Sequence, residues 1–437
     1  MFSSKVLIIE RRFCCKFLAV GLQARAKMGK SSPFIVTRLV LKRDENKGER
    51  LPMLLRRESR LPVAPAMEWA LSTRRSAPVA ASTLDRELRC VAMAEWWCER
   101  EGLSLNDPLT FIDTFTPDRI EASLRPWLSR DQSDRKVKKL SVSPEVIKER
   151  LAVVASYIDW RLNNAQRAVS VRREPQKCVA IEAARASIAS TLHNLEPTQS
   201  SAPQQEGLSQ AEVSRLLDII EPAHPRNPWA RGTSRAAVGL RKRNQLIVLL
   251  MLAFGPRRGD ILKLHTGDAK THGPEPELWI RRRPDDPNDS RVWEPNSKTN
   301  ERILPLDPLL TRAVNDYINE FRPLIPKYKK SPYLFLASDT GEPLATRSLN
   351  DIFQCLKSEF PRIHPHVLRY THNDRLEEFC KHAGISEEET INHAKYLNGW
   401  LSDNSEIYTR RSRREAAQRL SKRVQRDLFA PVEDVPF

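Results

Sequence analysis

Apolar positions along the chain fall at helical spacing over most of its length. In residues 82–102, Leu84, Leu88, Val91 and Cys98 recur on one face with Trp96 and Trp97 beside them, which predicts a helix capped by Ser82 or Thr83 and stopped at Gly102. Three more helices are predicted over 118–127, 144–162 and 179–195. The stretch 196–205 then turns to Pro, Ser and Gln without apolar period, the pattern of a flexible linker. Order resumes at Ser209, where Glu212 three residues on makes a capping box. The run Leu246 to Leu252 is apolar on all sides and predicts a buried helix over 243–254. Strands are predicted at 278–283 and on either side of 296–301, the latter pair as a hairpin. A helix is predicted to start at Pro308, and helices fill the chain from Ser348 to about Leu428. Near the start, 34–57 has the alternation of a short basic β-ribbon.

These elements predict a mainly α chain with a small β-sheet. An all-α domain over 62–195 precedes the 196–208 linker and an α+β domain over 209–428. A basic leader (1–61) and a short tail (429–437) flank them. No stretch approaches the ~18 apolar residues of a membrane span, and no membrane partner is expected. Seven cysteines without a CxxC fit neither a disulfide framework nor a zinc site, and a cytoplasmic location is expected.

Charge narrows the function. Lys and Arg number 72 against 55 Asp and Glu, so 72 − 55 gives +17 over 437 residues, which favours a polyanionic partner. Only 14 glycines are present, and Gly29-Lys30-Ser31 is no phosphate loop because Ala24 stands where its first glycine belongs. Nucleotide-driven chemistry is therefore not expected. The Asp285-Asp286 pair could evoke a carboxylate nuclease, but its Pro-rich surroundings predict an exposed loop. His364, His366, His372 and His382 lack a Cys or carboxylate at ligand spacing, so no metal is expected.

Several polar residues sit where packing alone would not put them. Arg257 follows the buried helix in Gly255-Pro256-Arg257-Arg258-Gly259-Asp260, and Lys298 lies at a hairpin tip in Ser297-Lys298-Thr299-Asn300. His366 and Arg369, three apart, share a helix face, and Gly399-Trp400 precedes Tyr408. This order resembles the tyrosine recombinase (phage integrase) family: Gly255-x-Arg257-x-x-Asp260-Ile261-Leu262, then Lys298-Thr299 before Ile303-Leu304-Pro305, then His366-x-x-Arg369, then Gly399-Trp400 and Tyr408. The upstream helices are similar to that family's core-binding domain, and the resemblance covers about 62–428. HxxR alone is a weak motif, but five motifs in order are specific. From Trp400 to Tyr408 the chain has one residue fewer than the family usually has. Pro256 and Gly259 are also unusual there.

The resemblance implies a two-domain clamp round duplex DNA. It implies site-specific recombination, the integration or excision of a mobile element, through a 3′-phosphotyrosyl link that stores the bond energy without a cofactor. Tyr408 would be the nucleophile. Arg257 and Arg369 would hold the non-bridging phosphate oxygens, worth about 10²–10³ in rate per donor by analogy with oxyanion holes. Lys298 would protonate the 5′ leaving oxygen, His366 would assist proton transfer, Trp400 would donate its indole N–H, and Asp260 would support the arginine site. Arg410, Arg411, Arg413 and Arg414, in the basic run after Tyr408, would touch DNA phosphates. A dimer on each site and a tetramer in the synapse are implied. Plain readings stand beside these: Arg257 as a helix cap, Lys298 as a solvated tip, Tyr408 as a helix-face aromatic. The competing functions are a type IB topoisomerase-like transesterase and a non-catalytic DNA-binding protein.

Overall fold

The computed structural model describes residues 32–41, 48–75, 79–130, 141–197, 206–229, 231–297, 299–399 and 410–428. The fold is mainly helical with two small antiparallel sheets, as the apolar pattern predicts. The predicted linker falls mostly at 198–205, outside the described residues.

Apolar side chains gather into two separate cores. The first runs from Phe34 to Leu192 and the second from Leu208 to Leu428. The first opens on the ribbon, strands β1 (Phe34–Val40) and β2 (Arg50–Arg56), paired from Phe34↔Arg56 to Val40↔Arg50. Phe34, Val36 and Leu54 point from it into the helical core. The ribbon expected within the leader is thus bound to the helices by its inward side chains. Its central helix, Ala81–Arg100, has Ala80 as its N-cap and no side-chain cap, so neither Ser82 nor Thr83 is the cap the sequence predicts. Gly102 does end that run in the left-handed region, at φ 68°. The pair Pro144–Val171 and Pro175–Asn194 completes the core, burying Leu151, Val154, Ile158, Ile181 and Ile188 at helical intervals.

The second core is built round the helix Arg235–Phe254, in which every residue from Leu246 to Phe254 is buried. Ser234 caps its start by accepting the Ala237 N–H at 3.2 Å. Each of its leucines removes enough apolar surface to contribute about 1.5–3 kcal/mol. Its end matters most for function. Gly255 turns left-handed at φ 56°, and a Cβ there would lie 2.9 Å from the His372 ring. Ser209 and Glu212 form the expected capping box.

The small sheet runs β3 (Ala269–Lys270), β4 (Glu277–Ile280), β5 (Arg302–Pro305), all antiparallel. The predicted hairpin about 296–301 takes a different form. The residues before 296 are not a strand, and β5 instead pairs with β4 across a long excursion, 281–301. Helices Thr346–Leu356, Pro365–His382 and Glu387–Asn398 follow. The last helix, Arg410–Leu428, buries Ala417, Leu420, Val424 and Leu428 on one stripe. Its Gln425 accepts the Asp307 N–H at 3.2 Å and donates to the Pro305 carbonyl at 3.2 Å.

Candidate functional site

The sharp turn after the buried helix presents the site. Arg257 stands at the N-cap of the short helix Arg258–Leu262, and its backbone N–H donates to Asp260 Oδ2 at 3.0 Å. Asp260 is 1% exposed, and it also accepts from the Thr299 hydroxyl at 2.8 Å, the Ser297 hydroxyl, and Arg302 Nη2 at 3.2 Å. One carboxylate therefore ties the first arginine motif to both residues flanking position 298. Lys298 itself lies outside the described residues, as do Trp400 and Tyr408.

Gly259 is explained here. A Cβ on it would lie 2.1 Å from the Asn296 carbonyl oxygen, so Ser297 and Thr299 can reach Asp260 only over a bare backbone.

Arg369 projects from the helix Pro365–His382 to the same turn. Its Nη1 donates to the Gly255 carbonyl at 2.6 Å and its Nη2 to the Asn398 carbonyl at 3.2 Å. Burial first, then the positive charges of Arg257 and Arg302, lower its pKa to about 10, so it stays charged at neutral pH. Arg257 Nη1 is buried and has no hydrogen-bond partner among the described residues. Two guanidinium groups thus face each other's charge with spare donor capacity, which is the chemistry of an anion site.

His366 begins the same helix and is exposed, with its backbone N–H donating to His364 Nδ1 at 3.2 Å. Burial of part of the ring, then the charges of His364, Arg258, Arg369 and Arg257, hold it below the usual histidine range. It is neutral at pH 7 and able to take a proton. His372 is buried beneath Gly255, and burial with Arg369 nearby lowers it to about 4. His382 Nδ1 lies 2.9 Å from the Glu378 carbonyl on the same helix. Among the described residues no three His, Cys, Asp or Glu side chains converge as a metal site. Asp286, expected on an exposed loop, is instead buried. Its burial favours the neutral acid, yet His265 and the Tyr333 hydroxyl, bonded at 2.7 Å, hold the carboxyl well below its usual range.

Sequence reasoning missed Arg302. Its side chain is 1% exposed and donates to the carbonyls of Leu397 (2.8 Å) and Asn300 (3.3 Å), to Thr299, and to Asp260. The Asn300 N–H reaches the Gly399 carbonyl at 3.0 Å, so the residue before Trp400 rests on the residue after Thr299. A charged residue opening the apolar strand Arg302-Ile303-Leu304 was the available signal. Arg410, Arg411, Arg413 and Arg414 lie in the last helix, but their side chains fall outside the described residues. Further along, Lys422 ion-pairs with Glu275, while Arg419, Arg423 and Arg426 are exposed.

No family model matches the chain. Among curated proteins it is similar to tyrosine recombinase XerC of Listeria monocytogenes serotype 4b (strain F2365), 30% identical over 106 residues, 21% of this chain and 35% of that one. The XerC of serotype 4a (strain HCC23) is 34% identical over 74 residues, 16% of this chain and 25% of that one. Over this stretch the chain is similar to tyrosine recombinases. It matches about a third of the length of the first of these relatives. Solved structures with a loose likeness include the Tn1549 transposon integrase with transposon right end DNA (TM-score 0.43, 14% identity, 84% of this chain and 99% of that one). Another is a lambda integrase dimer bound to a core site (TM-score 0.32, 13% identity, 95% of this chain and 99% of that one). Among the described residues no helix is long and apolar enough to cross a membrane.

Proposed function

We propose that the chain is a site-specific DNA recombinase that integrates or excises a mobile element by cutting and rejoining duplex DNA. The observation that carries this is the pair Arg257 and Arg369 at one turn: two fixed cations, one with a buried unpartnered N–H, set beside a carboxylate that cannot reach both. Such a site fits a phosphodiester passing through a phosphorane, whose non-bridging oxygens accept from guanidinium forks. Tyr408 would attack phosphorus, and the bond to the 5′ oxygen would break. Lys298 would give that oxygen its proton, neutral His366 would help take the tyrosine proton, and Trp400 would donate to the phosphate. Asp260 accepts from Ser297 and Thr299 beside the arginine motif, which would make it a positioning residue.

The two cores, joined through 196–208, would close on DNA as a clamp, with the basic residues Arg410, Arg411, Arg413 and Arg414 on phosphates. Two copies would occupy an inverted site and four would form the synapse, in the cytoplasm, where buried free thiols such as Cys90 and Cys98 persist. The test is a nicked duplex from the DNA flanking the coding sequence. Wild type and Tyr370→Phe should form a covalent DNA adduct, and Tyr408→Phe should form none. An adduct in Tyr408→Phe overturns the assignment of the nucleophile. Relaxation of any supercoiled plasmid without a site would make the chain a topoisomerase.

A further inference from the structure

We propose that Arg50, on the ribbon of the first core, is a positioning residue for the recombinase site. In this reading, docking of the ribbon on the 281–301 excursion holds the 296–299 turn beside Arg257. The inference rests on the recombinase reading. Arg50 is fully buried although it lies on a two-stranded ribbon, and nearly all its partners belong to the excursion. Its Nη1 donates to the Asp286 carbonyl at 3.1 Å. Its Nη2 donates to the carbonyls of Asp289 at 2.5 Å and Arg291 at 3.4 Å. Glu294 Oε2 lies 3.5 Å away as counter-ion, and the Arg50 backbone N–H donates to Asp285 Oδ1 at 2.9 Å. Arg75 adds an ion pair to Asp285 at 3.1 Å, and the Arg38 guanidinium sits 4.1 Å over the Trp293 ring. Gly48 is packed so closely that a Cβ would lie 2.4 Å from the Asp285 carbonyl oxygen.

A solvated ribbon would need none of this. An arginine reading three backbone carbonyls fixes the course of a loop, because its planar fork has one arrangement that satisfies them together. The loop so fixed runs straight to the site. Its Asn296 donates to the Ser82 hydroxyl at 2.9 Å, which is where the absent cap went. The Asn296 carbonyl lies against Gly259, and Ser297 and Thr299 then bond Asp260. From the second core, Lys263 grips the same loop at Asp289 (3.1 Å) and Glu294. Glu294 therefore keeps one cation, Lys263, when Arg50 is replaced by Met.

The test compares full-length wild type, Arg50→Met and Asn296→Ala in two measurements. In the first, amide exchange over 285–297 should rise about tenfold or more in Arg50→Met, with exchange over Arg235–Phe254 unchanged. The second uses flanking-DNA duplexes with either an ordinary phosphodiester or a 5′-bridging sulfur at the scissile position. In both, the tyrosine oxygen bonds phosphorus as the bond to the 5′ atom breaks. The oxygen leaving group needs a proton from the 296–299 turn, whereas the thiolate leaves without one. Adduct formation should fall about tenfold or more on the ordinary duplex in both variants and return to within about threefold of wild type on the sulfur duplex. Equal losses on the two duplexes, or unchanged exchange over 285–297, would overturn the proposal. Wild type failing on both duplexes would sink the recombinase reading instead, while the exchange measurement still decides whether Arg50 holds the loop.

Discussion

Replacing Asp260 by alanine should be among the most damaging single changes in the second core, and its cost can be worked from its contacts. Asp260 and the Arg302 side chain are each at most 1% exposed, and they pair at 3.2 Å. The other Arg302 donors go to neutral acceptors: the carbonyls of Leu397 and Asn300 and the Thr299 hydroxyl. Asp260→Ala therefore strands a buried cation and leaves the Thr299 and Ser297 hydroxyls and the Arg257 N–H without their acceptor. Breaking a buried pair from one side costs about 3–5 kcal/mol, against a total stability on the order of 5–15 kcal/mol. At roughly 2–4 °C per kcal/mol for a domain of this size, the melting midpoint should fall by about 6–20 °C. Thermal unfolding followed by circular dichroism measures it. The paired change Asp260→Ala with Arg302→Met removes both charges and should recover most of the loss. A single-variant cost under about 1 kcal/mol, the worth of an exposed pair, would refute the reasoning. So would a double variant as unstable as the sum of the singles.

Gly259→Ala puts a Cβ 2.1 Å from the Asn296 carbonyl, so the 296–299 turn must move; adduct formation should drop about tenfold or more at a stability cost of about 1–3 kcal/mol. His372 carries a pH signature. Its folded pKa, near 4, lies below the unfolded value near 6.5, so the unfolded chain takes the proton first. Its contribution is whole above about pH 6.5 and is lost as pH falls towards 4, about 3 kcal/mol across the window. The drop in urea midpoint between pH 7.5 and 4.5 should be smaller in His372→Asn, and an identical drop would remove this assignment. DNA affinity should fall about 10³-fold or more from 50 to 200 mM salt if six or more phosphates are held; a nearly flat profile would contradict the clamp.

Local chemistry was legible in the sequence wherever one element decided it. The buried helix announces itself through Leu246 to Leu252, Gly102 marks a helix end, and the Ser209–Glu212 box forms as spaced. What depends on distant residues was not legible. Ser82 has the composition of a cap but spends its hydroxyl on Asn296, more than two hundred positions away. The excursion hides the partner of β5, because pairing with β4 skips the residues that look like the first arm of a hairpin. Asp285 and Asp286 read as solvent-facing because proline and charge surround them, yet Lys263, His265 and Tyr333 from the second core and Arg50 from the first enclose that loop. The motifs named Arg257 and Arg369, but the joint between them, Asp260 to Arg302, rests on a residue outside any motif.

That joint also bears on how so basic a site stays folded. Arg257, Arg302 and Arg369 repel one another, and burial raises the cost of each charge. Asp260 has reach for one guanidinium, and it takes Arg302, the most buried of the three. Arg369 is held by two carbonyls, and Arg257 is left with a donor free. Carbonyls fix direction without cancelling charge, so the charges of Arg257 and Arg369 are not paired off at the turn. Had Asp260 faced Arg257 instead, the first arginine motif would be a structural ion pair and nothing more. The unpaired charge is kept at the turn, and the carboxylate is spent on the most buried of the three arginines.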